Sequence, residues 1–125
     1  MLRIPILKIG HTLIASIQAE LHDASAVQLK DDLLECIHTT RARGVVIDLT
    51  AVAVVDSFIG RLSSDIGAMC GLMGTRVVLT GLQPAVAITL IELGLELPQV
   101  RTALNLEKGL ALFQTAPEEV GYEQP

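Results

Sequence analysis

A chain of 125 residues with a net charge of −5 has room for one domain, and a domain of that size buries roughly two thirds of its unfolded surface without help from disulfides or a structural metal. Half of the residues are apolar, yet there is no Trp, one Tyr and two Phe. The core must therefore be built from Leu, Ile, Val, Ala and Met, and a mean hydropathy of +0.53 leaves apolar surface for partners or for copies of the chain.

The cations are scattered without a basic stripe, and Glu118, Glu119 and Glu123 gather past Pro117. That distribution excludes strong nucleic-acid binding, which needs several phosphates neutralised at once. Arg3 and Lys8 interrupt the N-terminus, so no secretory signal is expected. The most apolar later stretch, Val77 to Leu95, is broken by Gly81, Gln83, Pro84 and Glu92. It reads as a strand and a helix, with no membrane span. Cys36 and Cys70 fall in helical patterns far apart, as suits a reduced, cytoplasmic protein.

In chain order, Leu2 to Ile9 and Thr12 to Ile17 are two β-rich runs around a Gly10-His11 turn, the pattern of a hairpin. Asp23 or Ser25 is placed to cap a helix whose apolar positions are Leu29, Leu33, Cys36 and Ile37. Arg41 and Arg43 favour its C-terminal end and Gly44 is expected to stop it. Val45 to Ile47, closed by Asp48, has the unbroken apolar character of a strand buried on both faces. The apolar stretch Ala51 to Val55 then meets Asp56-Ser57. Ile59, Leu62, Ile66, Met69, Cys70 and Met73 form a helical stripe ended by Gly74. Arg76 to Thr80 is the next strand, and a helix begins at Gln83-Pro84 and stops at Gly94. Val100 to Ala103 completes the strands and Leu106 to Gln114 the helices. The order β-β-α-β-α-β-α-β-α predicts an α/β domain, a mostly parallel sheet of about five strands with about four helices and an antiparallel hairpin edge.

Ser57 draws attention because it follows a buried-looking stretch and opens an amphipathic helix. Its hydroxyl either caps the helix or is free to accept a phosphoryl group, and Asp56 is an equal candidate for the cap. A phosphate there would face unpaired helix N–H groups, so modification would leave the domain folded. Nucleophilic catalysis lacks its other parts. His11 falls in a turn, His22 in a loop and His38 near a helix end, and no Gly-x-Ser-x-Gly surrounds the serine. Cys36 and His38, two apart, face different sides of a helix, so Cys36 is read as a buried structural thiol rather than a metal ligand. Gly71 and Gly74 lack the Lys-Ser/Thr of a phosphate-binding loop. Met69 and Met73 are read as core or oligomer contacts.

The hairpin, the alternating body and Val55-Asp56-Ser57 at the start of the second helix resemble the STAS-domain family, which includes bacterial anti-sigma-factor antagonists. The resemblance spans roughly residues 2 to 115. Asp56 to Gly60 and the longer run from Thr80 to Gly94 are most similar to the RsbS branch, the phosphorylatable stressosome scaffolds. Phe58-Ile59 departs from the sporulation-type antagonists, which carry another small residue and Gly-Leu there.

The resemblance implies a STAS domain over residues 1–116, and the acidic, polar composition past Pro117 leads us to expect a disordered tail over 117–125. It implies a non-enzymatic switch without cofactors, whose ATP and magnesium belong to its kinase. Partners would be RsbR-type STAS proteins, a serine/threonine kinase of the RsbT type and a phosphatase of the RsbX type, with self-association. Ser57 would be the main phosphorylation site and Thr89 a second one, against a plain helical threonine. Asp56, Phe58, Ile59 and Arg61 would form the kinase-docking face. With no sensory domain ahead of it, the chain would transduce a signal rather than detect one. A free antagonist that binds an anti-sigma kinase without forming a shell is the first alternative, and a small-ligand carrier the second.

Overall fold

The computed structural model describes residues 4–18, 22–94 and 100–121, with side chains of the last helix described as far as Phe113. Its elements are β1 (Ile6–Ile9), β2 (Thr12–Ser16), α1 (Asp23–Thr40), β3 (Gly44–Asp48), α2 (Ser57–Leu72), β4 (Arg76–Thr80), α3 (Pro84–Glu92), β5 (Val100–Ala103) and α4 (Leu106–Gly121). The sheet has five strands in the order β1-β2-β3-β4-β5. β1 is antiparallel to β2, while β2, β3, β4 and β5 run parallel. The predicted α/β architecture is thus the observed one.

Side chains alternate across a strand, so each inner strand serves two cores. Leu13, Ala15, Val45, Ile47, Val77 and Leu79 face the larger core with α1, α2 and Val86 of α3. Ile14, Val46 and Val78 face Phe113 of α4 on the other side. Val45 and Val46 have no solvent exposure, as an unbroken apolar run requires.

Several boundaries differ from the sequence expectation, each for a packing reason. α1 stops at Arg41, which takes the left-handed conformation at φ 58° and donates its N–H to the Ile37 carbonyl. Gly44, expected to end that helix, is the first residue of β3. A Cβ there would lie 2.5 Å from the Phe113 ring, so glycine serves a close approach of α4 and not a helix stop. At the start of α1 the N-cap is His22, without a side-chain cap bond, and Asp23 is the first helical residue. Ala51 to Val55 forms a loop in which Val52 and Val55 are buried and Val54 is exposed. α4 continues to Gly121, past the predicted end at Gln114. Apolar periodicity marks only the part of a helix that covers a sheet, and the continuation has no such signature. The expected tail over 117–125 therefore falls partly on this helix, and residues 122–125 lie outside the described ones.

Candidate phosphoacceptor site

The site lies where the parallel strands end, the edge at which loops of an open α/β sheet collect. Asp48 ends β3 and accepts hydrogen bonds from the hydroxyls of Thr80, at 2.7 Å, and Thr50, at 3.0 Å. The Leu49 N–H donates to the Thr80 carbonyl at 2.8 Å, and the Gln83 side-chain amide donates to the Thr50 carbonyl at 2.8 Å. Gly81, at φ 71°, has the Thr50 hydroxyl where a Cβ would stand. These bonds clasp the loop before α2 to the loop before α3. The clasp gives the chain ahead of Ser57 a fixed path.

Asp56 is the N-cap of α2. Its carboxylate accepts from the Ile59 N–H at 2.9 Å, and its carbonyl accepts the first helical bond from Gly60 at 3.0 Å. This settles the cap between the two candidates: Ser57 is the first helical residue, exposed, and its hydroxyl has no partner among the described residues. Phe58, 41% exposed, and Val54, 62% exposed, flank it with apolar surface. Arg61 is exposed and stands four residues after Ser57, the spacing that places two side chains on one helix face. Ile59 does not share that surface. It is 7% exposed and belongs to the core, because the cap turns its side chain inward beside Val55 and Leu62. Asp56, Ser57, Phe58 and Arg61 thus sit together, and Ile59 supports them from below.

Thr89 is on α3, five residues past Pro84, and its hydroxyl donates to the Ala85 carbonyl at 2.9 Å. It is on a different helix from Ser57. The clasp residues Asp48, Thr50, Thr80 and Gln83 escaped sequence reasoning as a site, since nothing local signals that the ends of two strands and the loops after them meet.

Cys36 is half-buried rather than buried, and burial followed by the charges of Asp32 and Glu35 raises its pKa. Cys70 is the buried thiol, pushed up to about 11 by desolvation. Of the two methionines, Met69 is half-buried and Met73 is 41% exposed. Among the described residues no three His, Cys, Asp or Glu side chains gather as a metal site, and no helix is long and apolar enough to cross a membrane. Beneath Ser57, Ile17, Leu29, Val55, Ile59, Leu62 and Leu90 line an apolar cavity of about 40 Å³, far below the roughly 300 Å³ of a small-ligand pocket.

The STAS domain family model matches residues 3–109. The chain belongs to the STAS family. Among solved structures, an RsbS variant from Moorella thermoacetica is 43% identical, with a TM-score of 0.82 over 92% of this chain and 97% of that one. A chain of the stressosome, described as a signal integration and transduction hub, is 41% identical with a TM-score of 0.75, covering 90% and 97%. The RsbT co-antagonist protein RsbRA of Bacillus subtilis is 34% identical over 93 residues, 74% of this chain and 33% of that protein. This STAS chain therefore spans about a third of the length of the RsbR-type proteins it matches. The unphosphorylated antagonist SpoIIAA, 15% identical with a TM-score of 0.74, shares the fold alone.

Proposed function

We propose that this STAS protein is a phosphorylatable scaffold and switch of a bacterial partner-switching stress pathway, with Ser57 as its main acceptor. It co-assembles with RsbR-type STAS proteins and with its own copies, and it holds a serine/threonine kinase of the RsbT type until Ser57 is modified. A phosphatase of the RsbX type resets it. The protein itself performs no chemistry and works in the cytoplasm.

One observation carries the reading: Asp56 takes over the capping of α2, which leaves the Ser57 hydroxyl exposed and unengaged at the first helical position. A serine needed for the cap would be a costly acceptor, whereas this one is free. The 43% identity to an RsbS protein and the 34% identity to a co-antagonist of RsbT support the choice of partners.

The switch follows from charge. Phosphorylation adds roughly two negative charges next to Asp56 and the apolar flank of Phe58 and Val54. Burying that charge in a contact with the kinase costs about 3 kcal/mol, enough to weaken binding more than about a hundredfold. Thr89 is the weaker second acceptor because its hydroxyl is bonded within α3.

The test is intact-mass and peptide mass spectrometry after incubation with an RsbT-type kinase and Mg-ATP. One phosphoryl group on the Ser57 peptide, absent in Ser57→Ala, is the expected result. Modification confined to Thr89 or to residues past Pro117 would reduce Ser57 to an ordinary helix residue. Size-exclusion chromatography with an RsbR-type partner separates the scaffold from a free antagonist, since only the scaffold shifts to a very large particle.

A further inference from the structure

The parallel strands begin at the opposite end of the sheet from Ser57, and α1 closes there on an arginine. Arg41 takes the left-handed conformation, φ 58° and ψ 38°, and is the sole non-glycine residue with positive φ among the described residues. Such a helix end favours glycine, which has no Cβ to strain. The Arg41 N–H donates to the Ile37 carbonyl at 2.8 Å. Ala42 comes next and is 4% exposed. Its carbonyl accepts from the buried Thr75 hydroxyl at 2.9 Å, which ties it to the start of β4. Its N–H has no partner among the described residues. A buried backbone donor left unpaired by the protein is rare, and water or a bound anion completes such a bond.

Ala42 forms part of the wall of a concavity of about 360 Å³ between the end of α1 and the turn after α2. His38, Arg41 and Arg43 line the same space, all exposed, and Met73 and Gly74 close it on the other side. No carboxylate lines it, and the stretches 37–44 and 73–77 contain no Asp or Glu. Glu35, one turn before His38 on α1, is the nearest acid along the chain. Neither arginine forms an ion pair among the described residues. Arg76 stands at the same end of the sheet, but it pairs in register with Gly44, which lies against Phe113. Its side chain therefore belongs to the α4 face, outside the concavity. The backbone that carries the lining cations is fixed. Arg43 N–H donates to the His11 carbonyl at 2.8 Å, and the Arg43 carbonyl accepts from Arg76 N–H at 3.0 Å.

We propose that this concavity binds the phosphate group of a small phosphorylated molecule. Arg41, Arg43 and His38 surround the phosphate oxygens, the Ala42 N–H donates to one of them, and the body of the molecule rests against Met73. Two guanidinium forks, an imidazole and a backbone N–H offer more donors than the two oxygens of a carboxylate can use in one plane. The three acceptor oxygens of a phosphate ester match them. The volume falls within the roughly 300 to 1,000 Å³ of small-molecule sites. β2, β3 and β4 each have a strand on both sides, so this end of the sheet has no free strand edge for a peptide to extend along. The reading also accounts for an arginine where the backbone favours glycine: the strain is kept because the guanidinium is used. The site is independent of the switch at Ser57, which lies beyond the other end of the strands.

The test is an amide NMR titration of the full chain with phenyl phosphate and with inorganic phosphate. The Ala42 amide proton should move downfield and saturate. Phenyl phosphate should bind about tenfold more tightly than inorganic phosphate, the gap that a contact with Met73 supplies. Arg41→Gly separates binding from folding, because glycine suits the left-handed backbone while the guanidinium is lost. It should melt at or above the native temperature yet bind phenyl phosphate about tenfold more weakly. Arg43→Gln should weaken binding to a similar extent, and it gives the same reading if Arg41→Gly disturbs the helix end. Ser57→Ala should bind as the native chain does. An Ala42 amide that moves with neither probe, or native affinity in both arginine variants, overturns the proposal. A phosphoserine peptide that binds through Arg41 and Ala42 more tightly than phenyl phosphate overturns the small-molecule assignment and gives the site to a partner's phosphorylated side chain.

Discussion

At Asp56-Ser57 one residue caps and its neighbour is left free, and that division of labour is what makes a modification tolerable. A phosphoryl group on Ser57 would have Arg61 one helical turn away on the same face. In the phosphorylated protein we expect the second phosphate ionisation below its ordinary pKa of about 6, despite Asp56 beside it. In Arg61→Ala it should move upward, as read by 31P chemical shift against pH. An unchanged titration would leave Arg61 with no part in holding the phosphate. Cys70 makes a second, independent test. Burial raises its thiol from 9.0 to about 11, so the folded state prefers the neutral form. That stability is present in full below pH 9 and is lost as pH rises through 11. The loss should amount to roughly 2 to 3 kcal/mol in urea unfolding, with a shallower slope in Cys70→Ala.

Among the elements, α4 depends on one glycine. Gly44 lets the Phe113 ring come close to β3, and a methyl group there would meet the ring at 2.5 Å. Both partners are buried, and the strand cannot shift without breaking its register with β2 and β4. Gly44→Ala should cost about 1 to 3 kcal/mol by overpacking. Thermal unfolding should show this loss, and Phe113→Leu in the same chain should recover part of it. If Gly44→Ala melts like the native protein, α4 is held by other contacts. The clasp between the loops before α2 and α3 belongs to the same scale. Asp48, Thr50, Thr80 and Gln83 link the helix that carries Ser57 to the helix that carries Thr89.

For the whole molecule the notable surface is α3. Nine residues long and rich in Ile, Ala and Leu, it buries only Val86 fully, while Ile88 is 55% and Ile91 78% exposed. Such an exposed apolar face suits the assembly proposed above. Ile88→Glu/Ile91→Glu should keep the melting temperature within a few degrees, since neither side chain is in the core. It should weaken assembly with an RsbR-type partner at least about tenfold, a change of roughly 1.4 kcal/mol, measured by analytical ultracentrifugation. Unchanged assembly would place the contact surface elsewhere.

The order of elements, the doubly buried β3 and the exposed helix start at Ser57 were all legible in the residues, because periodicity and capping chemistry are local. What stayed hidden was decided by contacts between distant parts of the chain. Gly44 reads as a helix stop until Phe113 is seen against it. Ile59 falls both on the apolar stripe of α2 and in the docking face that the resemblance implies, and only the packing assigns it to the core. Asp48, Thr50, Thr80 and Gln83 become one structure only when parallel pairing brings the ends of β3 and β4 side by side. The cations at Arg41, Arg43 and Arg76 look scattered along the chain, yet three parallel strands starting in register place them on one edge. Local chemistry specifies which element a residue belongs to, and sheet register, a long-range property, specifies which residues meet.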